Sequence, residues 1–334
     1  MNSFGNLFSV NIFGESHGPS VGITIDGCPA GITLLAKDFV TDIERRKGGI
    51  QPGTTPRKED DTPIFLSGIF NDKTTGAPLT IIFENNNTRS TDYVKQRDVP
   101  RPGHADLTAT QKFGGYEDFR GGGHFSGRLT VCLVAAGVVA KQILNTFLTG
   151  VSVTATLSEV GGENDIEKGI EKAMKLGDSV GGIVECVVTN IPTGLGEPFY
   201  DSVESLISHA VFAIPAVKGI EFGAGFAAAK MLGSEHNDAI QNKEGLTLSN
   251  NAGGISGGIT NGNDIVFRIA VKPTSSTPKP QQTFNKSTEE IETFSVKGRH
   301  DLCIALRVPP VLEAITAFTL VDLLLREQRI RRVV

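Results

Sequence analysis

A chain of 334 residues, 39% hydrophobic and 21% charged, can bury a large core and lacks the composition of a disordered or fibrous protein. Its net charge of −5 argues against general nucleic-acid binding, which rests on neutralising phosphates, so affinity for an anion requires cations gathered locally. Cys28, Cys132, Cys186 and Cys303 are far apart with no C-x-x-C pair, which argues against a disulfide framework and a zinc site.

The first residues, MNSFGNLFSVNIFGES, lack the basic start and continuous apolar core of a signal peptide, so a cytoplasmic location is expected. Phe8 to Ile12 and Val21 to Ile25 alternate as strands do, around a Gly14-Glu15-Ser16-His17-Gly18-Pro19 turn. Leu35 to Lys47 reads as an amphipathic helix with Phe39, Val40 and Ile43 on one face. Its end is basic, at Arg45, Arg46 and Lys47, which suits the helix dipole. A Gly/Pro/charge loop follows, then strands at Ile64 to Ile69 and Leu79 to Phe83. From Asn85 to Arg128 the chain is polar and irregular, with Arg89, Arg97, Arg101, His104 and Asp106; a stretch of that length is a site or a disordered linker, and its scattered Phe, Tyr, His and Arg favour a site.

Leu129 to Leu148 is a long apolar run broken by Lys141, Gln142 and Asn145, read as a buried helix and not a membrane span. Strands are expected at Val151 to Val160, Gly182 to Asn190, Ala216 to Phe222 and Ile265 to Val271. Helices are expected at Asp165 to Leu176 (Ile166, Ile170 and Met174 on one face), Val203 to Ala213 and Val311 to Ile330. Gly223-Ala224-Gly225-Phe226-Ala227-Ala228 matches G-x-G-x-x-A, a weak dinucleotide-binding signal with no regular βαβ series around it. Two glycine loops in two α/β halves hint at a pseudo-duplication within one large domain, residues 1–334.

The most concentrated stretch is Phe119-Arg120-Gly121-Gly122-Gly123-His124-Phe125-Ser126-Gly127-Arg128. Its glycines permit close backbone approach and positive φ, and Arg120 and Arg128 supply fixed positive charge. That is an anion site by composition, with a solvated tight turn as the alternative. Four of the six histidines, His17, His104, His124 and His300, fall in such compact polar turns. Histidine is the side chain whose charge changes near neutral pH, so proton transfer is expected; no H-x-x-x-H or H-E-x-x-H pair supports a metal. A Ser16–His17 nucleophilic dyad lacks the G-x-S-x-G elbow. The residues therefore describe an α/β enzyme with an anionic small-molecule ligand, histidine proton chemistry and no metal.

GESHGPSVGITIDGCPAG near the N-terminus, RPGHAD at Arg101 to Asp106, FRGGGHFSGR at Phe119 to Arg128, KPTSS from Lys272 and KGRHD from Lys297 together resemble the chorismate synthase family. The resemblance covers nearly the whole chain, in the family's order and spacing. It implies a β-α-β sandwich, a homotetramer, and conversion of 5-enolpyruvylshikimate 3-phosphate to chorismate and phosphate. That reaction is an anti 1,4-elimination needing reduced FMN without consuming net reducing equivalents. It implies that His17 protonates or stabilises the reduced flavin and that His104 assists the departing phosphate. Asp301 would lie near the flavin and help remove the proton, with Ser16 and Ser126 supporting the relay. For FMN it points to His124, Phe125 and Ser126, to Pro215, Ala216 and Gly257, to Lys272, Pro273, Thr274, Ser275 and Ser276, and to Arg299. Arg128 would bind substrate; Arg46 would face the substrate or, where the enzyme reduces its own flavin, NADPH. His124 and Phe125 stand where the family commonly has arginine and serine, and Leu302 where it has proline. The family's second arginine after Arg46 has no clear counterpart, Arg57 being the nearest. Nothing resembles an added reductase domain, so an external flavin reductase is expected to supply reduced FMN.

Overall fold

The computed structural model describes residues 1–49, 52–55, 59–87, 97–296 and 300–334. Two antiparallel sheets enclose a layer of helices. The first sheet contains β1 (Ser3–Phe4), β2 (Ser9–Gly14), β3 (Ser20–Asp26) and β4 (Ile64–Ser67). A small hairpin, β5 (Ile69–Phe70) with β6 (Lys73–Thr74), leads to β7 (Leu79–Glu84), and the sheet order is β1-β2-β3-β7-β4. The second sheet contains β8 (Ser152–Val160), β9 (Gly182–Thr189) and β10 (Val217–Phe222). The hairpin β11 (Ile255–Ser256)–β12 (Ile259–Thr260) precedes β13 (Ile265–Val271), and the order is β10-β13-β9-β8. The strands β14 (Gln281–Asn285) and β15 (Glu290–Phe294) form a separate hairpin. The helices are α1 (Val40–Arg46), α2 (Asp106–Phe113), α3 (Thr130–Phe147), α4 (Ile166–Leu176), α5 (Val203–Val211), the single turn α6 (Gly233–His236) and α7 (Pro309–Arg326).

Burial alternates along β7, β9 and β13, each with one face on the core. Helix α3 packs on β2, β3 and β7, while α7 packs on β8 and β9. The two helices meet so closely that a Cβ on Gly137 would stand 2.2 Å from that of Ala314, so only glycine permits this crossing. The long apolar run is thus the central helix of the layer, largely buried between protein surfaces. One continuous hydrophobic cluster extends from Phe8 to Ile330. Two buried carboxylates on α7 tie the layers together. Asp322 accepts the N–H groups of Asn6, Leu7 and Phe8, and Glu313 binds Arg45, Lys141 and the N–H of Ala155.

Several expectations change. The helix expected over Leu35 to Lys47 is a 3-10 turn, Ala36–Phe39, followed by α1, and Val40 faces solvent while Phe39 and Ile43 are buried. Met174 is likewise exposed, 58%, while Ile170 is buried. The irregular stretch after Asn85 contains α2, whose start at Asp106 lies within the RPGHAD segment. The final helix begins two residues earlier than expected, because prolines suit a helix's first turn, where no N–H is required. The dinucleotide reading of Gly223 fails. Strand β10 is antiparallel to β13 and runs into a 3-10 turn, Gly225–Lys230, so no α-helix N-terminus faces a phosphate there. A Cβ on Gly225 would lie 2.2 Å from the Glu221 carboxylate, so this glycine accommodates a side chain.

Candidate active site

The end of α1, the Arg101–Asp106 turn, the glycine loop before α3, the segment after β13 and the turn before α7 converge on one cleft of about 510 Å³. That volume lies in the range that holds small ligands and cofactors. Among the described residues six cations line it, Arg46, Lys47, Arg101, Arg128, Lys272 and Arg307, against three carboxylates, Glu59, Asp61 and Asp301. The surplus of positive charge is the local concentration an acidic protein needs to bind an anion.

The three glycines decide where two histidines sit. Gly121, Gly122 and Gly123 all have positive φ. A Cβ on Gly121 would lie 2.4 Å from the His17 ring, and one on Gly122 would lie 3.3 Å from the His104 ring. The loop therefore passes between the histidines with its bare backbone edges against both. Gly123 accepts the N–H of Ser16, which joins the glycine loop to the hairpin loop. Ser16 is fully buried, and its hydroxyl makes no hydrogen bond among the described residues. Alanine at Gly121 is expected to cost at least ~1–2 kcal/mol for its left-handed backbone and to push His17 aside. Thermal melting and turnover are both expected to fall; an unchanged melt and rate would contradict this packing.

His104 is held from two sides. Its Nδ1 lies 2.6 Å from Asp106 Oδ1, and Arg101 Nη2 approaches the ring at 3.1 Å. Asp106 also binds Arg101 through both oxygens. Burial acts to raise the Asp106 carboxyl, but hydrogen bonds from Arg101 and His104 overcome it and hold it well below the usual carboxylate range. The turn is clamped to the segment after β13: Arg101 donates to Ser276 Oγ at 3.1 Å, and Lys272 donates to the Gly103 carbonyl at 2.8 Å and to Ser275 Oγ at 2.7 Å. Desolvation, with the neighbouring charge of Lys218, lowers the Lys272 ammonium from its ordinary value.

A second cluster centres on Asp61. Its carboxylate bridges Arg46, at 3.2 Å, and Arg128. All three side chains are at least nine-tenths buried. Burial alone would raise Asp61, yet the two guanidinium charges hold it below its ordinary value. Arg46 is pushed down to about 9, by burial first and by the charge of Arg307 second. The basic end of α1 is therefore divided: Arg45 pairs with Glu313 while Arg46 points into the site. At the far wall, Asp301 accepts the Thr55 N–H at 2.8 Å and Arg307 Nη1 at 3.0 Å.

Of the residues expected in the site, His104, His124, Phe125, Ser126, Pro215, Ala216, Lys272, Pro273, Thr274, Ser275, Ser276, Arg46, Arg128 and Asp301 all line the cleft. His17 and Ser16 sit behind Gly121. Gly257 is exposed in the β11–β12 turn and does not line the cleft of the single chain. Arg120 turns away to pair with Asp118 at 2.7 Å, so only Arg128 of the loop's two arginines serves the cleft. Arg299, Arg57 and Arg89 lie outside the described residues. The structure adds Asp61, Arg307, Arg101 and Asp106 as partners of the expected groups. Arg101 and Asp106 were visible within RPGHAD, whereas nothing in the pattern around Asp61 or Arg307 marks them.

The cleft also suits a cofactor with both polar and flat surfaces. Thr274 Oγ1, like Ser16 Oγ, is buried with no hydrogen-bond partner among the described residues. Ala216 is held at φ +75°, a strained conformation for a residue with a side chain. Pro215, Ala216 and Phe125 supply apolar wall, and Lys272 to Ser276 supply an ammonium and hydroxyls. No group of three or more metal-ligating side chains occurs among the described residues.

Comparison with known proteins agrees with this geometry. The chorismate synthase family model matches residues 8–325. A chorismate synthase of Chitinophaga pinensis is 68% identical over 333 residues, covering 100% of this chain and 99% of the relative. One from Thermococcus gammatolerans is 45% identical over 350 residues, covering 97% and 98%. A chorismate synthase crystal structure superposes with a TM-score of 0.72 at 25% identity, covering 97% of this chain and 93% of the other. From its first buried strand to its last helix, this chain belongs to the chorismate synthase family.

Proposed function

We propose that the chain converts 5-enolpyruvylshikimate 3-phosphate to chorismate and phosphate by a reduced-FMN-dependent anti 1,4-elimination. The observation that carries this reading is the convergence, in one cationic cleft, of His104 on its Arg101–Asp106 clamp with Asp301 on the opposite support of Thr55 and Arg307. The substrate's two carboxylates and phosphate account for a cation-rich wall in a protein of net charge −5. FMN would be held by His124, Phe125 and Ser126, by Pro215 and Ala216, and by the hydroxyls and ammonium of Lys272 to Ser276. When bound and reduced, FMN would lend electron density to the allylic C–O bond and recover it as the elimination completes, with no net change in its redox state.

This chain's residues manage the charges and protons. His104 donates Nδ1–H to Asp106, which orients the ring so that its Nε2 can give a proton to the departing phosphate. Asp301, fixed through both oxygens, helps to accept the proton leaving the ring carbon. His17, behind Gly121 and beside the buried hydroxyl of Ser16, would protonate or stabilise the reduced flavin, with Ser16 and Ser126 supporting the relay. The Arg46–Asp61–Arg128 cluster places fixed positive charge where the substrate's anionic groups are drawn in.

The chain works as one domain, residues 1–334, a reading supported by its continuous hydrophobic cluster. The assembly is a cytoplasmic homotetramer; the exposed Phe226, Leu232, Ile240, Leu246 and Leu248 offer apolar surface for the contacts between copies. A separate reductase, with NADPH as the electron source, provides the reduced flavin. Assayed without oxygen, with reduced FMN and the enolpyruvyl phosphate substrate, the folded protein is expected to release chorismate and phosphate in equal amounts. Absence of chorismate would overturn the assignment. Product formed from oxidised FMN and NADPH alone would show instead that the chain reduces its own flavin.

A further inference from the structure

Donor accounting separates the arginines of the cleft. A guanidinium carries five N–H groups. Arg46 spends four of its five, on Thr130 Oγ1, Asp61, and the carbonyls of Gly127 and Arg128. Arg101 spends its Nε and one Nη2 hydrogen on Asp106 and one Nη1 hydrogen on Ser276, and its Nη2 lies against the His104 ring. Arg128 spends three, on Asn85, Asp61 and the Glu84 carbonyl. Arg307 spends two: Nε on the Arg46 carbonyl at 2.9 Å, and one Nη1 hydrogen on Asp301 at 3.0 Å. Both Nη2 hydrogens and the second Nη1 hydrogen of Arg307 have no acceptor among the described residues.

These unspent donors belong to one planar group that lines the cleft, with a side chain 19% exposed. The same plane is pinned at Nε by the Arg46 carbonyl and at Nη1 by Asp301, so the guanidinium is oriented before any ligand arrives. Pre-orientation reduces the entropy cost of capturing a planar oxyanion. The local charge balance points the same way, because Arg307 is a main reason why the neighbouring Arg46 holds its proton less tightly than usual. An anion at Arg307 would relieve that repulsion.

We infer that Arg307 is a binding residue for one oxyanion group of the substrate, and that it couples capture of that group to the placement of Asp301. This rests on the elimination reading above. The ligand chemistry is a carboxylate or a phosphoryl oxygen, held through the unspent Nη hydrogens of Arg307. Substrate binding then draws on the same guanidinium that steadies the carboxylate taking the proton.

The test uses the full chain loaded with oxidised FMN, and calorimetric titration of the enolpyruvyl phosphate substrate. Arg307→Gln is expected to weaken binding ~10- to 100-fold, the range for losing charge-assisted hydrogen bonds. Arg307→Lys keeps the charge but not the fork, and is expected to recover part of the affinity and most of kcat. It also carries the test if the Gln variant does not fold. Inhibition by inorganic phosphate and by chorismate distinguishes the two sources of the oxyanion. Weakened phosphate inhibition in the Gln variant assigns Arg307 to the phosphoryl group, and weakened chorismate inhibition alone assigns it to a carboxylate. Wild-type substrate affinity in both variants, with only kcat reduced, would overturn the inference. An inactive wild type would instead remove the functional reading itself.

Discussion

Replacing His104 with alanine is expected to cut turnover by ~10²–10⁴-fold, the usual contribution of a positioned general acid, while FMN still binds. The ring touches Asp106 and Arg101 and faces the cleft beside Gly122, so its loss removes a proton donor without opening the hydrophobic core. The residues assigned to FMN stand on other segments, chiefly the glycine loop's His124 to Ser126 and Lys272 to Ser276. Flavin titration followed by fluorescence, alongside turnover, checks the separation. Near-wild-type turnover would remove His104 from the chemistry. Loss of flavin affinity in parallel would make its role structural.

Replacing Asp61 with asparagine is expected to destabilise the fold by ~3–5 kcal/mol, the cost of leaving a buried ionic partner without its counter-charge. The case is stronger here than for an ordinary pair, because two guanidinium groups, those of Arg46 and Arg128, share this one carboxylate. Urea denaturation measures the loss directly, and a change within ~0.5 kcal/mol, as for an ordinary surface substitution, would contradict the cluster's role. The pH dependence has a definite sign. Asp61 and Asp106 are both lowered in the folded protein relative to the unfolded value of about 3.9. Their stabilisation is therefore fully present above that value and is lost as pH falls through the lower, folded values. The asparagine variant is expected to lose part of that acid-side dependence.

The strands β9 and β13 were legible as short, nearly continuous apolar runs, although burial alternates along them. Helix α2 was not, since its few turns are polar and only Ala109 is buried. In the site, His104, Ser126, Arg128 and Asp301 belong to compact motifs whose residue types announce chemistry. Asp61 and Arg307 do not. Asp61 sits in an acidic run that reads as solvated, and its value comes from Arg46 and Arg128, brought to it by tertiary folding. Arg307 reads as a cation before an apolar helix. Only its contacts with the Arg46 carbonyl and Asp301 show that it faces inward. Val40 and Met174 failed for the converse reason: an apolar residue at helical spacing need not be covered when its helix is packed along a narrow stripe.

The elimination proposed above requires reduced flavin without spending it. Its most direct measurement is an anaerobic reaction with reduced FMN at a small fraction of the substrate concentration, following chorismate, phosphate and flavin redox state together. Many chorismates per flavin, equal phosphate, and flavin still reduced at the end are expected. Flavin oxidised in proportion to product, or product independent of reduced flavin, would contradict the account.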